Sequence, residues 1–478
     1  MSDFAEPLNS ELDLESELVF DAERLKGYAG RRLKAAFALT TLWLFTALLH
    51  RVTWGREAVL LGTGVMSLQA LRVVLAKPLR KPTPLPSSMK AEAVAVAPAI
   101  TASASPTFAD WPYVSLLVAA KNEAQVIGKV VESLLHIDYP AARYDLWVID
   151  DYSTDQTPQM LDALARRYPR LNVIHRGPDA TGGKSGALNL VWPQTRGDIL
   201  AVFDADAHVP EDLLRHVVPM FEPIEGTDQA AAAEATKVGA VQVRKAIINA
   251  KTNFWTQGQK AEMAFDSYMQ ERRIAVGGIG ELRGNGQFVR REAIAQCGGW
   301  NEATITDDLD LTIQLHLHQW DIGLLFSPPV GEEGVTSAIA LWHQRNRWAE
   351  GGFQRYLDYW RQLVKNRLGW KKSFDMATFW MIQYMAPVVA LPDLAIALSR
   401  RQLPVFGPIT VLGISLSFWG MWTTLRRAEP TSAWRAAGQT LWGTAYMLHW
   451  VLVIATMAMR VSVRPKRLKW VKTVHGAS

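Results

Sequence analysis

Residues 33–49 and 58–76 near the start of the chain, and 374–399, 405–425 and 438–459 near its end, are apolar runs close to the ~20 residues a helix needs to cross a bilayer. Between them lies a long middle of different texture. Mean hydropathy is near zero although the chain carries 51 basic and 46 acidic residues, so polar and apolar residues must be kept apart. Together these features describe an integral membrane protein whose soluble part is held between two sets of apolar helices.

The first pair reads as a transmembrane hairpin over 33–76, with Gln69 and Arg72 interrupting its second arm. Ahead of it, 1–32 is polar and acidic up to Glu23, and the first apolar run comes too late for a cleavable leader. Residues 77–112 are rich in Pro, Ala and Ser and lack periodicity, the composition of a linker. The tail, 461–478, continues a basic run (Arg460, Arg464, Lys466, Arg467, Lys469, Lys472) that contains no Asp or Glu. Such a tail is expected on an anionic cytoplasmic leaflet. No nucleic-acid-binding motif accompanies it, so nucleic acid is not an expected partner. For tail and soluble domain to share one side, the number of crossings must be even. Within 374–460, Pro387, Pro392 and Asp393 single out the first apolar run as the interfacial or re-entrant one. The lone Cys297 excludes an internal disulfide and a multi-cysteine metal site, and suits a reducing compartment.

From Tyr113 short apolar runs alternate with helical patterns, the signature of βαβ units, so 113–345 is expected to form an α/β domain with a mainly parallel sheet. The expected strands are YVSLLVAA, YDLWVIDD, LNVIHR, DILAVFDAD and VGAVQVR. Between the first two, Val126, Ile127, Val130, Val131, Leu134 and Leu135 share one helical face, with Asn122 as N-cap. Thr157-Pro158 opens the next helix with Pro at its first position. DQAAAAEATK (228–237) reads as a surface insertion, and 346–373 as amphipathic interfacial helices.

Ligands of open α/β sheets bind beyond the carboxyl ends of the strands. Asp150 and Asp151 end one expected strand, and Asp204 and Asp206 another, so both pairs are expected at one crevice. Two carboxylates one residue apart suit a hard divalent cation, which would in turn hold a diphosphate; a solvated loop or helix cap is the plainer alternative. TGGKSGALN (181–189) adds a glycine-rich turn with Lys184 and Asn189, but without the P-loop spacing, which removes the main support for an ATPase. Thr306, Asp307, Asp308 and Asp310 precede a helical run. Capping accounts for one acid there and leaves others for work such as general base catalysis. QRNRW places Gln344, Arg347 and Trp348 on adjoining helix faces, where Arg can neutralise phosphate and Trp can stack on a sugar. An amphipathic helix resting at the membrane surface would read the same way, and both can hold.

In this order, over about 200 residues, the paired Asp, Asp-x-Asp, Thr-Asp-Asp and Gln-x-x-Arg-Trp motifs resemble family 2 inverting glycosyltransferases, the group that includes cellulose and hyaluronan synthases. The resemblance implies a Rossmann-like GT-A catalytic domain flanked by transmembrane helices. It implies that Asp150 and Asp151 hold the uridine end of a UDP-sugar, with Lys184 beside the diphosphate, and that Asp204 and Asp206 take the diphosphate and Mg²⁺ or Mn²⁺. Asp308 would be the base, and Gln344, Arg347 and Trp348 would complete the donor and acceptor site. Gly284, Asn285 and Gly286 stand where the family has a glycine-rich acceptor loop, and Asp307 replaces a commoner Glu.

Within the family the chain is most similar to the cyanobacterial monoglucosyldiacylglycerol synthases, in FDADAHVPEDLL, GELRGNGQFVRR and TDDLDLTIQLHLHQWDIGLL. That similarity implies transfer of glucose from UDP-glucose to the 3-hydroxyl of diacylglycerol in a thylakoid or plasma membrane, with the catalytic domain cytoplasmic. A processive polysaccharide synthase is the alternative within the family. A non-catalytic transporter or nucleotide-sensing scaffold is the alternative outside it, and it predicts charges within the spans and degraded acids in the crevice, the reverse of the sequence.

Overall fold

The computed structural model describes residues 30–88, 111–221, 237–428 and 432–464. Most of the polar N-terminal segment, the later part of the linker, almost all of the Ala-rich insertion and the basic residues from Pro465 onward lie outside them. Helices α1 (Arg31–Leu49) and α2 (Gly55–Leu75) come first. The α/β domain then runs β1 (Val114–Ala120), α3 (Ile127–Leu135), β2 (Tyr144–Asp150), α4 (Thr157–Arg167), β3 (Leu171–His175), α5 (Gly183–Val191), β4 (Ile199–Phe203), α6 (Leu213–Val217) and β5 (Val238–Ile247). It continues through α7 (Phe254–Ala275), β6 (Gln287–Arg290), α8 (Arg291–Gln296), α9 (Asp307–Leu317), β7 (Asp321–Glu332) and α10 (Ala338–Val364).

All five expected strands form, in a seven-stranded sheet of order β3-β2-β1-β4-β6-β5-β7. Every neighbouring pair is parallel except those of β6, which is antiparallel to β4 and β5. Side chains alternate across the sheet as the pleat requires. Leu116, Val118 and Phe203 join the core on one face, while Leu117, Leu200 and Val202 join the core on the other. Each such side chain, fully buried, contributes ~1.5–3 kcal/mol relative to exposure.

The start of α3 differs from the expectation. Its first residue is Ile127, preceded by Val126, and Asn122 is no cap. Asn122 takes the left-handed backbone conformation that Asn tolerates, at φ 57°, and its Oδ1 accepts from the Thr154 N–H at 2.7 Å, clasping the loop after β1 to the loop after β2. The expected start of α4 is correct, with Pro158 in its first turn. The described part of the linker is anchored to the domain: Ser88 donates through both its N–H and its hydroxyl to Asp138, and Leu85 N–H donates to the Arg215 carbonyl.

The C-terminal part comprises α11 (Trp370–Trp380), a π-helical turn at Met381–Met385, α12 (Ala386–Arg400), α13 (Gly407–Ala428), α14 (Ala433–Met447) and α15 (His449–Val463). Among the described residues, four helical stretches are long and apolar enough to cross a membrane: Arg31–Leu49, Gly55–Leu75, Trp370–Arg400 and Ala433–Val463. Contacts fix their directions. Arg31 pairs with Asp358 and Arg72 donates to the Val276 carbonyl, so the hairpin leaves the α/β domain and returns to it. Arg400 donates to the His50 carbonyl at the hairpin's far turn, so α11–α12 runs the same way. Over 22 residues, ~33 Å at 1.5 Å per residue, α13 comes back, and Arg427 pairs with Glu271 of α7 at 2.6 Å.

The acid that set 374–399 apart is accounted for. Asp393 is buried in α12 and accepts from the Val405 and Phe406 N–H groups, 2.9 Å each, while His50 Nε2 lies 2.7 Å away. The α14–α15 stretch also touches the domain, with Trp450 donating to Glu262 and Arg460 to Glu350. Helix α7, which the sequence did not single out, seats the domain on α13 and α14. Close approach demands glycine there, since a Cβ on Gly258 would strike the Tyr446 ring.

Candidate active site

The carboxyl ends of β1, β2 and β4 open into one cavity of about 850 Å³. Strand β4 delivers Asp204 to its rim, and the turn that follows brings Asp206 to the same space. The Asp204 N–H donates to Asn285 Oδ1 at 3.3 Å, so Asn285, almost fully buried, braces that turn from behind. Of the loop 284–286 only Gly284 lines the cavity. It has φ 82°, and a Cβ on it would lie 3.5 Å from Asp308 Oδ2. Gly286 sits behind it, donating to the Val202 carbonyl.

Gly182, at φ 79°, turns the chain into α5 so that Lys184 stands in the first helical turn. Its Nζ donates to Asp204 Oδ1 at 2.5 Å. Asn189, from the same motif, is structural: it holds both the N–H and the carbonyl of Trp300.

The acidic run forms the first turn of α9, with Thr306 at the N-cap position but without a side-chain capping bond. Asp307 and Asp308 line the cavity, while Asp310 turns inward and accepts from Gln314 and the Tyr359 hydroxyl. Gln344, Arg347 and Trp348 of α10 close the same cavity. The Arg345 guanidinium lies 4.1 Å from the Trp348 ring centroid and Lys245 Nζ 5.3 Å from it.

One pair separates. Asp151 lines the cavity, paired with Arg176 at 2.8 Å, but Asp150 does not line it. Asp150 is buried and accepts from the Ser153 N–H and from His175 Nδ1. Asp150 is the last residue of β2 and Asp151 the first beyond it, so Asp150 keeps its place in the sheet while Asp151 is carried out to the crevice.

The electrostatics divide the acids into two kinds. Burial works against charge on Asp204, but Lys184, Lys245 and Arg347 outweigh it and hold its carboxyl below the ordinary range. Burial, then the Asp307 carboxylate, push Asp308 up to about 6. Burial likewise disfavours the Lys184 ammonium, yet Asp204, Asp307 and Asp308 keep its pKa above the lysine norm. Environments that drive two acids apart assign them different work: Asp204 stays an anion, and Asp308 is poised to exchange a proton near neutrality.

The cavity does not end at the acids. It continues between α12, α13 and α15, past Ala386, Ile414 and Ile454.

A sequence profile described as "Glycosyltransferase like family 2" matches residues 112–351. The chain belongs to glycosyltransferase family 2. It is 52% identical to the β-monoglucosyldiacylglycerol synthase of Synechocystis sp., over 96% of this chain and 91% of the relative. To the β-monoglucosyldiacylglycerol synthase of Nostoc sp. it is 50% identical, over 98% of this chain and 96% of the relative. The mainly parallel sheet with its reversed β6 is the GT-A domain that the motifs implied.

For a family 2 glycosyltransferase the metal question turns on the donor set. Among the described residues no three His, Cys, Asp or Glu side chains gather as a ready-made cage. Asp204 and Asp206 offer hard oxygen donors from two side chains, which fits a hard divalent cation when phosphate oxygens and water complete the shell.

Several residues of the site were not picked out from sequence. Lys245, at the end of β5, lines the cavity and pairs with Glu332 at 3.1 Å; a Lys closing an apolar strand was its only signal. Glu281 is fully buried, taking Arg283 at 2.6 Å and Arg355 at 2.8 Å, and so ties the glycine loop to α10. Arg355, Arg283 and Arg273 hold its carboxyl far below the usual range against the cost of burial. Glu262 on α7 receives Arg345, the Tyr446 hydroxyl and Trp450 Nε1, which joins α7, α10, α14 and α15 at one point.

Proposed function

We propose that this protein is a membrane-bound inverting glucosyltransferase that moves glucose from UDP-glucose to the 3-hydroxyl of 1,2-diacylglycerol, giving β-monoglucosyldiacylglycerol. One observation carries the reading: a single cavity runs from the Lys184, Asp204 and Asp308 cluster into a space walled by apolar helices. A water-soluble donor and a lipid acceptor can therefore meet without either leaving its own solvent. The near-full-length identity to two β-monoglucosyldiacylglycerol synthases supports the same assignment.

In the reaction, Asp151 and the loop around it face the nucleoside end of the donor, and Lys184, the N-terminus of α5 and Arg347 face its diphosphate. A divalent cation held by Asp204 and Asp206 would add positive charge where negative charge develops on the leaving group. Trp348 offers a flat apolar surface to the sugar. Asp308 removes the proton from the acceptor hydroxyl as its oxygen attacks C1 from the face opposite the diphosphate. The C1–O bond to UDP breaks, and Lys184 and Arg347 offset the charge that UDP carries away. A single displacement turns an α-linked donor into a β-linked product, and Asp308 leaves the step protonated.

Basic residues favour a cytoplasmic domain. Arg31, Arg32, Lys34, Arg72, Arg426 and Arg427 stand at the domain-side helix ends, against Arg51, Arg56, Arg400 and Arg401 at the far ends. Although α13 is not one of the four apolar stretches, its ends meet Asp393 and Glu271, so α1, α2, α11–α12 and α13 are taken as crossings, α14–α15 returns to the domain at Glu350, and the count is even. A thylakoid or plasma membrane is then the site of synthesis.

The test is transfer by the purified full-length chain in lipid, given diacylglycerol and competing UDP-glucose, UDP-galactose and UDP-N-acetylglucosamine. A single monoglucosylated lipid is expected. A ladder of lengthening sugar chains, or preference for another donor, would overturn the assignment.

A further inference from the structure

Three helix stripes wall the deep arm of the cavity. On α13 they are Thr410, Gly413, Ile414 and Ser417, spaced three and four apart. Facing them, Ile382 in the π-helical turn and Ala386 and Ala390 on α12 repeat every four residues, and Val451 and Ile454 of α15 complete the wall. Residues at such spacings share one helix face. No Asp, Glu, Lys or Arg of α11 to α15 lines the arm.

Size matters as much as polarity. Ala386, Ala390, Gly413 and Ser417 are small on facing surfaces, so their side chains leave the space between the helices unfilled. A Cβ on Gly413 would already stand 3.4 Å from Ile382 Cγ2, so a longer side chain would reach across and block the arm. Ile414 lines the arm and is still 42% exposed, so the wall is open on its lipid side. The polar side chains on this wall, Gln383, Tyr384, Thr410, Ser417 and Thr444, carry no charge, and the Thr410 and Thr444 hydroxyls are spent on carbonyls of their own helices, whereas each methylene the arm shelters contributes ~0.8 kcal/mol.

We propose that this arm binds one acyl chain of the acceptor and that Gly413 and Ala390 set the chain length the enzyme accepts. The inference rests on the proposed function and adds a subsite to it. The chain enters sideways from the bilayer past Ile414, and its glycerol end is then led along the arm to the polar end of the cavity, where Asp308 stands.

The experiment compares kcat/KM for dipalmitoylglycerol and dioctanoylglycerol, using full-length protein in nanodiscs with UDP-glucose as donor. Gly413→Leu and Ala390→Leu are expected to lower the long-to-short ratio about tenfold, the contact of roughly two methylenes. Their KM for UDP-glucose, expected to match the wild type, reports that each variant is folded. Val411→Leu, on the exposed face of α13 away from the cavity, is expected to keep the wild-type ratio. Wild-type ratios in both cavity variants would overturn the acyl subsite while leaving the proposed function intact. A wild-type chain that glucosylates no diacylglycerol would instead overturn the function, before any variant is compared.

Discussion

The Lys184 ammonium, in the first turn of α5, lies 2.5 Å from Asp204 Oδ1 at the end of β4. Two segments twenty residues apart are thus locked at the point proposed for the leaving diphosphate. A charge-assisted hydrogen bond is worth ~1.5–3 kcal/mol. Lys184→Met is expected to raise KM for the nucleotide sugar by roughly 10- to 100-fold, read from initial rates at saturating acceptor. An unchanged KM would remove Lys184 from the donor site.

Asp308→Asn removes the proposed proton acceptor and leaves the shape. Turnover is expected to fall ~10²- to 10⁴-fold, the usual worth of a positioned base, while UDP affinity measured by calorimetry stays within a few-fold of wild type. Because the wild-type carboxyl titrates at about 6, kcat/KM should rise with pH through that value and level off above it. A profile flat from pH 5 to 8 would mean that another group takes the proton.

The same residue makes a stability prediction of opposite sense. Asp308 has a higher pKa folded, about 6, than the 3.8 of the free side chain, so the folded chain binds its proton more tightly. Stability from this group is therefore full below pH ~4 and is lost as pH rises through 6. Asp308→Asn should raise the apparent Tm at pH 7.5 relative to wild type and have little effect at pH 4. An inactive variant with a higher melting point would be a carboxylate kept for chemistry at the expense of the fold.

Glu262→Ala leaves Arg345 buried beside α14 and α15 without its carboxylate. Removing one partner of a buried pair costs ~3–5 kcal/mol, so the variant should melt well below wild type in detergent. Arg345→Met with Glu262→Gln should recover much of that loss, since both charges go together. Equal melting of the single and double variants would deny the pair its role as a joint between domain and membrane helices.

Much of this architecture could be read along the chain. Strands β1 to β5 show as apolar runs, and Asp151, Lys184, Asp204, Asp206, Gly284, Asp307, Asp308, Gln344, Arg347 and Trp348 do meet at one cavity. What was missed has physical causes. Strand β6 is four residues long with a buried Gln287, and β7 contains Pro328 and Pro329, residues that argue against a strand until the irregular register opposite Val243 and Lys245 absorbs them. Asp150 was misplaced because a doublet carries no sign of which member ends the strand. Asp393 looked like an obstacle to a membrane helix, when its partners, His50 and the start of α13, are far away in sequence or across a turn. Helix α7 went unnoticed because it is buried on several sides and carries Glu262 and Glu271 inside, so no simple apolar stripe marks it.

The proposed reaction is one displacement at C1, with Asp308 on the acceptor side and the diphosphate on the other. Proton NMR of the glycolipid formed by the purified full-length chain from UDP-glucose and diacylglycerol reads that geometry in the product. One β-linked glucose on the primary hydroxyl of glycerol is the predicted result; an α-linked glucose would contradict it.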